Sequence, residues 1–264
     1  MSQKNYAIYY FTGTGNSLVF ARALAAALGA GDPLPLVTEL KKNEISVTAE
    51  KVIICFPLYF LSFPKPVMDF LERASFAGGS AVYAVVTRGF APMGGVGLPF
   101  RRYIKKTKAR AGGCFYVTLP NNDITLFDVD TPQTAAKRLA TLEAQCARVA
   151  GAISSGRRHF DFEVLGWMRP FRHSPAYLNK LKDFGRQFRA DANCNGCGIC
   201  AKVCPQDNIT IVSGKPVWGD RCVLCEGCLN WCPARAAQYG DITTAKGRYH
   251  HGDIRVSDME HQKR

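Results

Sequence analysis

Eight of the chain's eleven cysteines fall between Cys194 and Cys232, in two runs of one pattern. The first is Cys194-x2-Cys197-x2-Cys200-x3-Cys204-Pro205 and the second is Cys222-x2-Cys225-x2-Cys228-x3-Cys232-Pro233. Three thiolates three residues apart can wrap a tight loop around three irons of one cube, while the fourth points away to serve a second cube. A closed zinc site asks instead for four ligands in two pairs. A disulfide framework belongs in a short secreted chain, not in one block of this one. The spacing therefore points to iron–sulfur chemistry. Gly196, Gly198 and Gly227 let backbone N–H groups approach the sulfurs, contacts that raise a cluster's potential. The other cysteines, Cys55, Cys114 and Cys146, sit in apolar segments and are expected to be buried small hydrophobes.

The second chemical signal is "TGTGNS", Thr12 to Ser17, directly after the apolar run "NYAIYYF". A Walker A loop would end in Gly-Lys-Ser/Thr, and this loop has no lysine. A dinucleotide fingerprint starting at Gly13 would need glycine where Leu18 stands. A monophosphate cradle fits better. Thr12, Thr14 and Ser17 offer hydroxyls, and Gly13, Gly15 and Asn16 let backbone N–H groups converge at a helix N-terminus. The plain alternative is a strand–helix turn that binds nothing.

The elements around that loop alternate. "KVIICFP", "AVYAVVTRG" and "CFYVTLP" read as further buried strands, and "LPLVTEL" as a weaker one. Helices are expected at "SLVFARALAAAL" with Gly29 as stop, "KPVMDFLERA", the basic "GLPFRRYIKKTKARAGG", and one long helix from a Thr131 cap and Pro132 to "AISSG". Strands without polar alternation, interleaved with helices, imply a parallel sheet covered on both faces. "NITIVSGKPVW" reads as a hairpin between the two cysteine runs. The expected organisation is an α/β domain at 1–156, a basic aromatic connector at 157–190, a cysteine domain at 191–240 and a polar tail at 241–264.

Residues 191–240 resemble bacterial-type 2[4Fe-4S] ferredoxins. The pattern implies crossed ligand sets: Cys194, Cys197, Cys200 and Cys232 for cluster one, and Cys222, Cys225, Cys228 and Cys204 for cluster two. "TGTGNS" after the first strand resembles the FMN-phosphate loop of flavodoxins. That resemblance implies a flavodoxin-like doubly wound parallel sheet of order 2-1-3-4-5, with FMN beyond the strand C-termini. By position it assigns Pro57, Leu58, Tyr59 and Phe60, and Thr87, Gly89, Phe90 and Gly94, to the two sides of the flavin. Tyr59 or Phe60 is the expected ring contact. The whole order resembles a family of flavodoxin-like/two-cluster ferredoxin fusions, with a small C-terminal α+β ferredoxin domain, and "GRYHH" resembles the segment that follows the clusters there.

The formal charge of +13 falls when cofactors are counted. Two oxidised clusters with their thiolates remove about four charges and an FMN phosphate about two. The holoprotein stays basic, which favours acidic redox proteins as partners; typical flavodoxins are acidic. No nucleic-acid motif occurs, no apolar run is long enough to span a membrane, and the N-terminus lacks signal-peptide features. A cytoplasmic protein is expected, with peripheral membrane contact a lesser reading of the basic aromatic connector. His250 and His251 are expected to be surface or packing residues, and no His/carboxylate metal cluster, Ser/His/Asp arrangement or nicotinamide fingerprint is present. The expected function is electron transfer linking one- and two-electron carriers, with no catalytic side chain. The alternatives are an FMN-dependent reductase of a quinone or flavin fed through the clusters, and a redox-dependent binding protein or sensor.

Overall fold

A computed structural model describes residues 6–162 and 185–264. Most of the expected connector, 163–184, lies outside the described residues. The strands of the first part are β1 (Tyr6–Tyr10), β2 (Leu34–Pro35), β3 (Ile45–Val47), β4 (Lys51–Pro57), β5 (Ala74–Phe76), β6 (Ala81–Arg88), β7 (Arg110–Thr118) and β8 (His159–Phe160). One six-stranded parallel sheet has the order β2-β1-β4-β6-β7-β8. With β4, β6 and β7 as its third, fourth and fifth strands, this is the expected 2-1-3-4-5 arrangement plus a short sixth strand. The small parallel pair β3–β5 lies outside it and left no clear signal in the sequence.

Two cores explain why the strands lack alternation. Val52, Ile54 and Phe56 of β4 face one core, while Ile53 and Cys55 face the other. Val82, Ala84 and Val86 of β6 likewise oppose Tyr83 and Val85. The helices α1 (Asn16–Leu28) and α6 (Leu142–Ser155) cover one face. Between them in sequence come α2 (Leu36–Glu39), α3 (Lys65–Arg73), α4 (Gly97–Lys105) and α5 (Pro132–Leu139); α3 and α4 cover the opposite face. Cys55, Cys114 and Cys146 are all buried in these cores, as expected.

Three elements differ from the sequence reading, each for a local reason. The weak second strand pairs only through Leu34 and Pro35 before the chain turns into α2. The basic helix stops at Lys105, where the Thr107 hydroxyl donates to the Ile104 carbonyl at 2.8 Å. Arg110 to Gly113 then join β7, with Gly112 bulged out of register and set against the Tyr83 ring, where a methyl would not fit. The long helix is broken at Ala140–Thr141, where the Thr141 hydroxyl takes the Arg138 carbonyl at 2.7 Å. The Thr131 cap is present, accepting from the Thr134 N–H at 3.2 Å, a contact worth about 1 kcal/mol.

The C-terminal part is small and its strands antiparallel. β9 (Phe188–Ala190) pairs with β12 (Ala237–Tyr239), and β10 (Ile209–Val212) forms a hairpin with β11 (Lys215–Trp218). Short helices at Ile199–Val203 and Gly227–Asn230 each follow a cysteine loop. This part shares its core with the first. Ile124 packs among Leu224, Leu229 and the cysteines, while Val203 and Trp231 reach into the core under α1. Residues after 240 do not trail away. The final helix, Val256–His261, is tied to α1 by an Arg22–Asp258 ion pair at 2.6 Å.

Candidate functional site

The strand order reverses between β1 and β4, and the cleft opens there, beyond the strand ends. Its walls include Thr12, Gly13, Thr14, Asn16 and Ser17, then Pro57 to Leu61, then Thr87 to Phe90 with Met93, and then Pro120 to Asp123 with Leu126 and Phe127. The last wall is the cysteine loop Leu224-Cys225-Glu226. Counting its open mouth, the cleft holds about 1180 Å³. The sequence-assigned residues come together here except two. Gly15 turns beneath the cleft, and Gly94 is buried next to Met93.

The loop from Thr12 to Ser17 is preformed. The Thr12 hydroxyl accepts from the Gly15 N–H at 3.0 Å, the Ser17 and Thr87 hydroxyls are 2.8 Å apart, and Asn122 donates to the Thr14 hydroxyl at 2.5 Å. The N–H groups of Gly13, Thr14, Asn16 and Ser17 meet no acceptor among the described residues, although all four residues are buried. Helix α1 has no side-chain cap. Buried, uncapped donors at the N-terminus of a helix longer than three turns fit a phosphate, which would accept several of them at once.

The side of the cleft away from this loop is apolar. Phe90 and Phe127 pack at 4.9 Å between centroids, and Leu126 and Phe127 stand 60% and 42% exposed at the rim. Tyr59 is partly exposed as a whole, but its hydroxyl is buried without a partner among the described residues, close to Gly13. Burial pushes that hydroxyl's pKa well up, and the neighbouring Cys225 adds to the shift. Arg88 lies over the Tyr116 ring at 4.6 Å and donates to the Met93 carbonyl at 2.5 Å. Burial lowers its pKa. The 120–127 loop and Arg88 were not singled out in the sequence. The loop carries no motif, and only its position after β7 marks it.

The cysteines gather as two sets. Cys194, Cys197, Cys200 and Cys232 line one small cavity, and Cys204, Cys222, Cys225 and Cys228 line another. Among the described residues no three His, Cys, Asp or Glu side chains converge closely enough for a single metal ion. Sulfurs that ring a void suit a cube of four irons, which spreads its ligands wider than one ion does. Burial holds the Cys225 and Cys228 thiols well above their ordinary pKa, so thiolates here need a bound cation. The Asn208 and Ala236 N–H groups point at the Cys204 and Cys232 sulfurs at 3.4 and 3.2 Å.

The Cys222–Cys228 loop is built against the glycine loop. A methyl group at Gly13 would collide with the Cys225 carbonyl oxygen. The Trp231 indole N–H donates to the Gly13 carbonyl at 3.1 Å. Glu226 adopts φ 55° and turns its carboxylate to the Ile124 N–H and the Thr125 hydroxyl, each at 2.8 Å. Burial pushes its pKa well up and Asp123 adds to the shift. Behind the loop lies the C-terminal segment. Gln262 clamps Thr12 through both backbone groups, at 2.8 and 3.0 Å; His251 N–H donates to the Thr14 carbonyl at 2.8 Å; Tyr249 hydroxyl donates to Asn16 at 3.0 Å. His250 stacks on Trp231 at 4.0 Å, and His251 is buried. Both are packing residues, as expected.

One family model matches a short stretch of the chain. Residues 191–210 match the family model described as a 4Fe-4S binding domain. No curated protein matches the chain. Among solved structures, a protein described as a flavoprotein from Bacteroides uniformis is 14% identical, covering 44% of this chain and 92% of its own at a TM-score of 0.35. A flavodoxin from Streptococcus pneumonia TIGR4 is 18% identical (55% and 98%, TM-score 0.32), and a flavodoxin from the domain Archaea is 11% identical (55% and 98%, TM-score 0.31). At these scores the structural likenesses carry no argument; the fold rests on the strand order. Among the described residues no helix is long and apolar enough to cross a membrane.

Proposed function

We propose that this chain is an electron-transfer flavo-iron-sulfur protein, relaying electrons between FMN in the cleft and two [4Fe-4S] clusters. One observation carries the reading: the loop that supplies Cys225 is also a wall of the cleft whose floor is the Thr12–Ser17 loop. Cluster two, on Cys204, Cys222, Cys225 and Cys228, is then the inner centre. Cluster one, with Cys197 exposed, is the outer one.

When bound, FMN takes up two electrons and releases them one at a time, while each cluster passes one. The chain's residues supply position and insulation. The Thr14, Asn16 and Ser17 N–H groups and the loop hydroxyls hold the phosphate. Leu58, Tyr59, Phe60 and Phe90 flank the ring. Leu224 and the buried Tyr59 tip keep water from the gap between the centres. The two-part organisation, α/β at 1–156 and cysteine domain at 191–240, follows from the same reading, as does a cytoplasmic setting where thiols stay reduced.

An anaerobic redox titration, with the flavin followed by absorbance and the clusters by EPR, tests the proposal. One FMN and about eight irons per chain, equilibrating together, are expected. Clusters without flavin after FMN is added would leave the loop as a ligand-free turn. One specific observation favours a second reading, a reductase of a quinone or flavin: the cleft mouth is open, with Leu126 and Phe127 exposed beside it. Saturable steady turnover of a quinone would favour that reading.

A further inference from the structure

The charge of this chain is concentrated. Between Glu72 and Asp123 there is no acid, and Arg101, Arg102, Lys105, Lys106, Lys108 and Arg110 fall within ten residues. The fold gathers four of these six side chains into a concavity. Arg101, Arg102 and Lys105 on α4, Arg110 at the start of β7 and Arg158 before β8 line one groove, with Leu98, Ala109 and Ala111 between them. All five cations are exposed, and none pairs with an acid among the described residues. Arg101 and Arg158 are held over the same ring, Phe160, at 5.3 and 5.5 Å. Arg102 and Lys105 sit in the last turn of α4, where the helix dipole favours cations. That accounts for two of the five.

We propose that this groove binds a ligand carrying several phosphate charges. Arginine forks set around a small apolar floor suit phosphate oxygens, which accept paired charge-assisted hydrogen bonds. Five like charges facing one concavity repel each other until a polyanion fills it. The groove is not a port for electrons. β7 separates Arg110 from the cleft wall that begins at Pro120, a distance of roughly 26 Å along the strand. A ligand here therefore leaves the redox centres free, and the inference stands without the flavin reading.

The test uses cofactor-loaded full-length protein, so that the glycine loop is filled. Calorimetric titration with inorganic tripolyphosphate, and flotation with phosphatidylcholine vesicles with or without phosphatidylglycerol, separate a soluble ligand from a lipid headgroup. Binding in at least one arm is expected. It should weaken about ten-fold or more in Arg101→Ala/Arg158→Ala and persist in Lys137→Ala/Lys202→Ala, which removes equal charge from exposed positions elsewhere. Arg101→Lys/Arg158→Lys keeps the charge but not the forks, and should bind at intermediate strength. No binding in either arm, or equal loss in the Lys137/Lys202 variant, overturns the proposal.

Discussion

At the scale of single residues, Gly13 and Gly15 read alike in the sequence but do different work in the structure. Gly13 is glycine because the Cys225 carbonyl lies against it; Gly15 is glycine because its φ is 101° and Ile254 lies 2.8 Å from where a methyl would be. An aspartate at Gly15 would repel a phosphate, but it would also strain the backbone by about 1–2 kcal/mol and push away the C-terminal segment. Loss of flavin from that variant would have two causes. Ser17 separates them. Its hydroxyl faces Thr87 at 2.8 Å, and its removal disturbs no backbone angle. Ser17→Ala should weaken FMN binding by about 1 kcal/mol, roughly five-fold, with iron content unchanged. Fluorescence titration of flavin-free protein reads this directly, and an unchanged dissociation constant would take Ser17 out of the phosphate site.

At the scale of elements, what was legible was what is local. The cap at Thr131, the stop at Gly29, the buried strands and the β10–β11 hairpin each follow from a few neighbouring residues. The break at Thr141 was hidden, because a threonine that takes a carbonyl from its own helix looks like one that does not. The C-terminal segment looks like a polar tail in the sequence because its partner Thr12 lies 250 residues away. Gln262 is fully buried there and satisfies both backbone groups of Thr12. Gln262→Ala should cost about 2 kcal/mol, a fall in Tm of roughly 4–8 °C, and flavin should leave before iron does. A scan that follows flavin fluorescence and cluster absorbance together would reveal the order; simultaneous release would mean the segment braces the whole fold. Asp161 makes a second clamp, across β7, β8 and α6. Burial pushes its carboxyl up, but the Tyr116 N–H, both Arg148 nitrogens and His159 more than offset this and hold its pKa below the ordinary aspartate value. A depressed pKa gives stability that is present above the unfolded value and lost as pH falls through the folded one. Hydrogen exchange at β8 should therefore rise as the pH falls below the ordinary aspartate range, and Asp161→Asn should show little of that pH dependence.

At the scale of the whole molecule, the sequence named eight sulfurs but not their arrangement about the cleft. The grouping of the cysteines about two cavities is the one the ferredoxin resemblance implies, whereas their orientation depends on packing between distant segments: Trp231 on Gly13, Glu226 on the 123–125 loop, Lys263 on the Ala201 carbonyl. Those contacts turn the Cys225 loop inward and leave Cys197 at the surface. If electrons enter and leave through cluster one, the two centres differ in what their loss does. Cys197→Ala should remove the outer cluster while keeping the inner one and the flavin, because Cys204 and the second cysteine run are untouched. Flavin reduction by a protein donor should then slow sharply. Reduction by dithionite, small enough to enter the open cleft, should be nearly unchanged. Stopped-flow absorbance with both reductants separates the cases. Equal rates with the protein donor in the variant and the parent chain would mean that partners deliver electrons at the cleft, and that cluster one is a side branch of the relay.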